Sequence, residues 1–200
     1  MNRIETLDAL EQIYDAAVPI ALDKVQTRLT PRYRQWIASS RFLILATVGK
    51  AGTDASPRGD AGPVVQVRDD TTLLLPDWRG NNRLDSLRNI VEDGRVSLLF
   101  MVPGCNNVVR VNGSAIVTAD DDITSQFNQQ GKTPRTVIVV TIAEVYYQCA
   151  KALMRSCLWQ AGDESESVPT AGQFVQEIDA DFDAASYDTG YADYAKGRLW

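Results

Sequence analysis

A succession of short β-favouring segments separated by turn residues is the feature that most constrains how this chain folds. These segments occupy residues 42–48, 54–58, 64–67, 72–75, 96–102, 107–118 and 136–148. Several connections are short, such as Gly49–Gly52 and Asp69–Asp70. Successive strands joined by short turns favour an antiparallel barrel or sandwich over a sheet of βαβ units. We therefore expect a mainly β protein with flanking helices.

Helical periodicity marks both ends of the chain and one insertion between the strands. Apolar residues recur at helical spacing over residues 7–17 and 21–29, and a third helix follows Pro31. A further helix is predicted over residues 80–91, and two more over 172–178 and 184–194. We expect a single domain in which N-terminal helices (1–40) pack on a barrel (41–160), followed by a C-terminal helical tail (161–200).

The net charge of −6 is unevenly distributed. It argues against a nucleic-acid-binding surface, which usually carries a basic stripe. Seven arginines nevertheless fall within the middle of the chain, at positions 58, 68, 79, 83, 88, 95 and 110. A basic middle in an acidic protein suits a bound anion, and it equally suits a solvated surface. Composition leaves these two interpretations open.

The sequence contains no histidine and only three cysteines. It therefore has no Ser-His-Asp or Cys-His catalytic centre, and its cysteine spacing predicts neither a zinc site nor a disulfide framework. Any redox or group-transfer chemistry then belongs to a bound cofactor. Acidic residues near the N-terminus and the lack of a long apolar run predict a cytoplasmic protein that contacts no membrane.

The segment Gly80-Asn81-Asn82-Arg83 precedes the inserted helix. Helix N-termini expose unpaired N–H groups and the positive end of the helix dipole, so they bind phosphate readily. Arg79 and Arg83 could add charge-assisted hydrogen bonds to such a phosphate. The alternative is that Asn81 or Asn82 simply caps the helix and the arginines are solvated.

Three other groups of residues accompany this segment. In Ser56-Pro57-Arg58-Gly59-Asp60, the glycine would let a ligand approach the backbone and the arginine would supply a cation. Strand alternation places Arg110, Asn112 and Ser114 on one face, which is either solvent-exposed or ligand-facing. If residues after Gln148 form a helix, Lys151 and Arg155 share one side and Trp159 follows. That group would suit a ring that becomes anionic on reduction, or it is an ordinary surface.

Taken in order, these motifs resemble those of the pyridoxamine 5′-phosphate oxidase-like FMN-binding proteins, in a subgroup without assigned chemistry. The resemblance covers residues 31–159 and rests on segments 42–48, 56–60, 80–83, 98–100, 110–113 and 149–152. It implies a six-stranded Greek-key split barrel. It also implies a homodimer with FMN in clefts at the subunit interface.

By that resemblance, Arg58 and the Asn82-Arg83 pair would hold the FMN phosphate, with Ser86 nearby. The backbone around Ser56 and Gly59 would lie along the isoalloxazine ring. The cofactor-binding set is completed from the far side of the cleft, or from the partner chain, by Lys151, Arg155 and Trp159.

Two departures from the family pattern concern the activity and leave FMN binding unaffected. Gln148 stands where relatives often carry a histidine, and glutamine cannot shuttle a proton near neutral pH. Residues 196–200 match the substrate-binding pattern of authentic pyridoxamine phosphate oxidases only faintly. The expected function is an FMN-dependent oxidoreductase acting on an unknown small molecule. The alternative is a non-catalytic protein that binds a flavin, deazaflavin or haem-type ligand.

Overall fold

The computed structural model describes all residues, 1–200, and contains one seven-stranded antiparallel sheet. Its strand order is β2-β1-β5-β6-β7-β4-β3. The strands are β1 (Phe42–Gly49), β2 (Gly52–Gly59), β3 (Gln66–Val67), β4 (Thr72–Asp77), β5 (Arg95–Met101), β6 (Val108–Thr118) and β7 (Thr136–Gln148). The predicted antiparallel, mainly β architecture is confirmed. The strand count exceeds the expected six by one, and β3 has only two residues.

Strand alternation builds one hydrophobic core inside the curled sheet. In β1, every second residue from Leu43 to Thr47 is buried, and in β5 the same holds from Val96 to Phe100. The apolar side chains of this set belong to a single cluster of 19 buried residues, to which five of the seven strands contribute. Because β1 and β5 each contribute one face to the core, the opposite face of these strands remains available for other contacts.

Eight helices flank the sheet: α1 (Leu7–Glu11), α2 (Pro19–Asp23), α3 (Pro31–Ser39), α4 (Asp85–Glu92), α5 (Asp121–Thr124), α6 (Lys151–Ser156), α7 (Ala171–Ile178) and α8 (Ala184–Lys196). Helix α3 begins with a proline in its first turn and buries Ile37 completely. Helices α1 and α2 bury no residue. None of the eight combines the length and the apolar character that a membrane crossing would require.

The inserted helix starts later than the sequence predicts. Residues 80–91 were expected to be helical, whereas α4 begins at Asp85. Asn82 and Leu84 have φ angles of 61° and 62°, which are left-handed and incompatible with a right-handed helix. The N-terminal prediction also differs, because α1 ends at Glu11 although the helical spacing continues to residue 17.

A β-bulge shapes the middle of β6 and β7. The register shifts between Asn112 and Gly113, and a Cβ at Gly113 would overlap the main-chain oxygen of Thr141. Only glycine therefore fits at this position without displacing the backbone of β7.

The C-terminal helices α7 and α8 pack against each other through Gly172, whose N–H donates to Asp188 Oδ1 over 2.8 Å. The chain then returns to the barrel, where Lys132 Nζ donates to the main-chain oxygen of Trp200 over 2.9 Å.

Candidate functional site

Strand β2 carries three polar side chains on the face that it shares with the core. Asp54, Ser56 and Arg58 alternate along the strand and are partly buried. Arg58 pairs in register with Leu43, and Ser56 pairs with Leu45, both of which are core residues. These polar groups therefore lie at the edge of the barrel interior and not on its outer surface.

The segment between β4 and α4 is tied to β2 at both of its ends. Arg58 Nη1 donates to Asp77 Oδ1 over 2.6 Å, and Ser86 Oγ donates to Asp54 Oδ2 over 2.6 Å. Asp54 and Arg58 are four residues apart on a strand, so their Cα atoms are separated by about 13 Å. Residues 78–84 therefore run alongside β2 between the two ties. We call this region, residues 54–58 together with 77–86, the cradle.

The loop of the cradle has an unusual backbone. Asn82 and Leu84 both adopt left-handed φ angles, a conformation that a leucine rarely accepts. Residues 79–84 are exposed. Such strained conformations cluster at ligand-binding sites, where surrounding contacts maintain them.

Neither asparagine caps helix α4, so the capping interpretation from the sequence is wrong. The N-cap position belongs to Leu84, which makes no side-chain hydrogen bond to the helix. Asn81 Oδ1 accepts instead from the backbone N–H of Arg83 over 3.1 Å. The start of α4 therefore has no side-chain cap and retains its capacity to bind an anion.

Arg58 presents a donor that the protein does not satisfy. Its side chain is 20% exposed, and one terminal nitrogen is engaged by Asp77. Its Nε is buried and has no hydrogen-bond partner. A buried donor without an acceptor costs about 1–3 kcal/mol. An anionic oxygen is the acceptor that a guanidinium prefers, so this residue fits a phosphate ligand.

The remaining cations of the cradle lie at its surface. Arg83 Nε donates to Asp85 Oδ2 over 2.8 Å, and their side chains are 75% and 45% exposed. An exposed pair of this kind contributes about 0–1 kcal/mol, so Arg83 can exchange its partner at little cost. Arg79 is exposed as well. Arg58 is thus fixed by its ion pair, whereas Arg79 and Arg83 at the surface are free to reorient.

Ser86 and Gly59 occupy different surroundings. Ser86 is 4% exposed and commits its hydroxyl proton to Asp54, so it holds the start of α4 against β2. Gly59 ends β2 on the outward face. Next to it, Asp60 accepts hydrogen bonds from the indole of Trp78 over 2.7 Å and from Gln129 over 2.9 Å.

The predicted cation–tryptophan group does not join the cradle within one chain. Lys151 and Arg155 lie exposed on α6, which follows β7. Trp159 Nε1 donates to the main-chain oxygen of Cys105 over 2.9 Å. No hydrogen bond or ion pair links these three residues to residues 54–58 or 77–86.

Arg110 and Asn112 lie on one face of β6, as strand alternation predicts, and that face carries a polar network. Asn112 accepts from Ser97 Oγ over 2.5 Å and donates to Glu144 over 2.6 Å. Arg110 Nη1 donates to Gln148 Oε1 over 3.4 Å. These groups are partly buried, so they satisfy each other and do not simply face solvent. No group of three or more acidic or cysteine side chains is placed to hold a metal ion.

Sequence reasoning did not assign Asp54 or Asp77, although both prove to hold the cradle together. Their partners lie 32 and 19 residues away in the sequence. The available signal was the position of Asp77 immediately before Trp78-Arg79-Gly80, in the motif already suspected of anion binding.

Comparisons with known proteins identify relatives of this architecture. The structure of a variant of HupZ from Group A Streptococcus superposes with a TM-score of 0.50 and is 15% identical in sequence. The match covers 60% of this chain and 98% of HupZ. A second HupZ structure is 16% identical with a TM-score of 0.49, over 58% and 91%. A protein from Lactobacillus delbrueckii named after pyridoxamine 5′-phosphate oxidase is 22% identical with a TM-score of 0.48, over 60% and 95%. At 15% identity, the first of these structures shows similarity of the fold alone.

No curated protein sequence matches the chain. The family model described as pyridoxamine 5′-phosphate oxidase, however, matches residues 29–149, which is more than half of the chain and includes the whole cradle. The resemblance inferred from the motifs and the expected split-barrel fold are thereby confirmed. The chain belongs to the pyridoxamine 5′-phosphate oxidase family.

Proposed function

We propose that this protein binds FMN, with the phosphate group in the cradle, and acts as an FMN-dependent oxidoreductase on a small molecule. The observation that carries the proposal is the buried, unpartnered Nε of Arg58 at one end of the cradle, whose other end is the uncapped start of α4. Both features supply N–H donors and positive charge without an acceptor in the protein. Family membership supports a flavin phosphate as the missing acceptor.

The residues of the cradle then take distinct roles. Arg58, Asn82 and Arg83 hold the phosphate, while Asp77 keeps the Arg58 guanidinium in place. Ser56 lies one alternation step from Arg58 on β2, where it can flank the flavin together with the main chain at Gly59. FMN supplies electron and hydride transfer when bound, and the protein supplies orientation and positive charge.

We further propose a homodimer, because the outward face of the sheet is apolar across β2, β1 and β5, next to the polar network of β6. Pro57, Ile44 and Leu99 form one cross-strand row on this face, and Phe42 pairs with Met101 in the next. Phe42 is 37% exposed. A second copy would cover these rows and bring its own Lys151, Arg155 and Trp159 to the cofactor. If the purified protein with FMN bound sediments as a monomer at micromolar concentration, this arrangement is contradicted.

The experiment that tests the binding proposal compares FMN with riboflavin, which has the same ring and no phosphate. Wild-type protein should bind FMN far more tightly than riboflavin in fluorescence titrations. In Arg58→Gln, the lost charge-assisted hydrogen bond should weaken FMN binding about ten- to a hundredfold. Riboflavin binding should stay unchanged, because riboflavin has no phosphate for Arg58 to hold.

Arg28→Gln provides the matched control. Arg28 is also an ion-paired arginine, with Asp70 at 3.0 Å, but it lies outside the cradle. FMN affinity should be unaltered in this variant. Equal affinities of the wild type for FMN and riboflavin would refute a phosphate site, and a colourless protein that binds neither would refute the flavoprotein proposal as a whole.

A second candidate is a protein that holds its flavin without turnover. Two features favour it: the chain has no histidine, and Gln148, which replaces one, is engaged by Arg110. Photoreduction of the FMN complex followed by rapid mixing with oxygen or a quinone separates the candidates. Fast, saturable reoxidation by one acceptor excludes the non-catalytic role, and uniformly slow reoxidation excludes the enzyme.

A further inference from the structure

A cavity of about 480 Å³ lies between α3 and the paired strands β6 and β7, away from the cradle. Its walls are formed by Arg32, Tyr33, Trp36, Asn107, Val109 and Tyr147. Tyr147 is separated from Arg58 by four strand spacings, through the register pairs of β7, β6, β5, β1 and β2. At about 4.8 Å per spacing, the two sites are about 19 Å apart along the sheet.

The cavity is bounded by aromatic rings, one of which the backbone holds in place. The Tyr33 hydroxyl donates to the main-chain oxygen of Lys24 over 3.0 Å and accepts from the N–H of Tyr147 over 3.2 Å. Three of the six lining residues are aromatic. Flat, fixed aromatic walls favour a planar ligand, because stacking then requires little rearrangement.

Two unsatisfied polar atoms mark the same region. Trp36 Nε1 is buried without an acceptor, and Asn106 Oδ1, next to the lining Asn107, is buried without a donor. The other three tryptophans, Trp78, Trp159 and Trp200, each donate their indole N–H to an oxygen. One of the four unpartnered buried side-chain atoms in the protein thus belongs to a residue that lines the cavity. Such atoms ordinarily have a partner, either water or a ligand.

The charge at this cavity is positive although the whole protein is acidic. Arg32 lines it, and Lys24 Nζ lies 4.6 Å from the centroid of the Tyr147 ring. None of the lining residues is acidic. An anionic group on the ligand is therefore favoured over a cationic one.

We propose that this cavity is a second ligand site, which binds a planar aromatic carboxylate. The ring stacks among Tyr33, Trp36 and Tyr147, and the carboxylate faces Arg32. The volume is within the range of small-molecule sites and is sufficient for a bicyclic ring system.

The test follows the four indole N–H signals of ¹⁵N-labelled protein during titration with 2-naphthoate. Trp36→Phe assigns one signal by its loss and keeps an aromatic wall. The Trp36 signal should move and saturate, while those of the other tryptophans stay fixed. By calorimetry, naphthoate affinity should fall about three- to tenfold in Trp36→Phe and in Arg32→Gln. Trp200→Phe, whose indole is bonded to Asp60 outside this cavity, is the matched control and should bind normally.

Four outcomes would overturn the proposal. The Trp36 signal could remain fixed at millimolar naphthoate, or neutral 2-naphthalenemethanol could bind as tightly as the carboxylate. The signal could shift on dilution of the protein alone, which would mean that a second copy covers the cavity. Saturating FMN could abolish naphthoate binding, which would make the cavity a part of the flavin site. Failure of FMN to bind at all would refute the proposed function and leave this site unaffected.

Discussion

The ion pair between Arg58 and Asp77 allows the structure of the cradle to be tested through stability. In Asp77→Asn the guanidinium loses its charged partner while its Nε is already unsatisfied. The two side chains are only 20% and 18% exposed, so water compensates for little of the loss. A charge-assisted hydrogen bond in this setting contributes about 1.5–3 kcal/mol to the free energy of unfolding. For a chain of this length, that corresponds to a fall in Tm of about 4–10 °C.

The assay is thermal and urea denaturation of wild type, Asp77→Asn, Arg58→Met and the double variant. Because both single changes break the same contact, the losses should not add, and the coupling energy should exceed about 1 kcal/mol. Adding FMN should recover part of the loss in Asp77→Asn, since the phosphate gives Arg58 a new partner. Additive losses would refute the contact, and an equal loss with and without FMN would refute the role of Arg58 in phosphate binding.

Three further predictions concern other parts of the fold. Gly113→Ala places a Cβ against the main-chain oxygen of Thr141 and should lower the free energy of unfolding by about 1–3 kcal/mol in urea denaturation. Gly190→Ala is the control, because its Cβ meets open space and should not lower the free energy of unfolding. Asn82→Ala should cost about 1 kcal/mol in the same assay because of its left-handed φ, while Asn82→Gly should relieve that strain. Hydrogen bonds from Ser186 lower the pKa of Asp183 below 3.8. The capping contribution of Asp183 is therefore complete above pH 4 and is lost as the pH falls below 4. Compared with wild type, Asp183→Asn should therefore show a smaller loss of helical circular dichroism between pH 4 and pH 2.5.

The strands could be predicted from sequence because burial on one face of a sheet leaves a visible alternation. Strand β7 begins and ends at the predicted residues, Thr136 and Gln148. The start of α4 could not be placed, because Leu84 adopts a left-handed conformation that its local propensity disfavours and that the sequence does not indicate. A motif of Gly, Asn and Arg indicates a turn but does not specify its geometry.

The sequence predicts the cationic residues of the candidate site but not the carboxylates that pair with them. Arg58 and Arg83 stand out in an acidic chain, but the sequence does not show that Asp77 and Asp85 neutralise them. The pairing of Arg58 with Asp77 depends on how β2 and β4 approach each other when the sheet curls. The lack of a hydrogen-bond partner for the Nε of Arg58 is likewise a consequence of tertiary packing alone.

The position of the flavin phosphate is tested most directly by a crystal structure of the protein grown with FMN. We predict phosphate density between β2 and residues 78–84, with an oxygen bonded to Arg58 and others facing the first turn of α4. Density for FMN elsewhere, with the guanidinium still bound to Asp77 alone, would contradict the account.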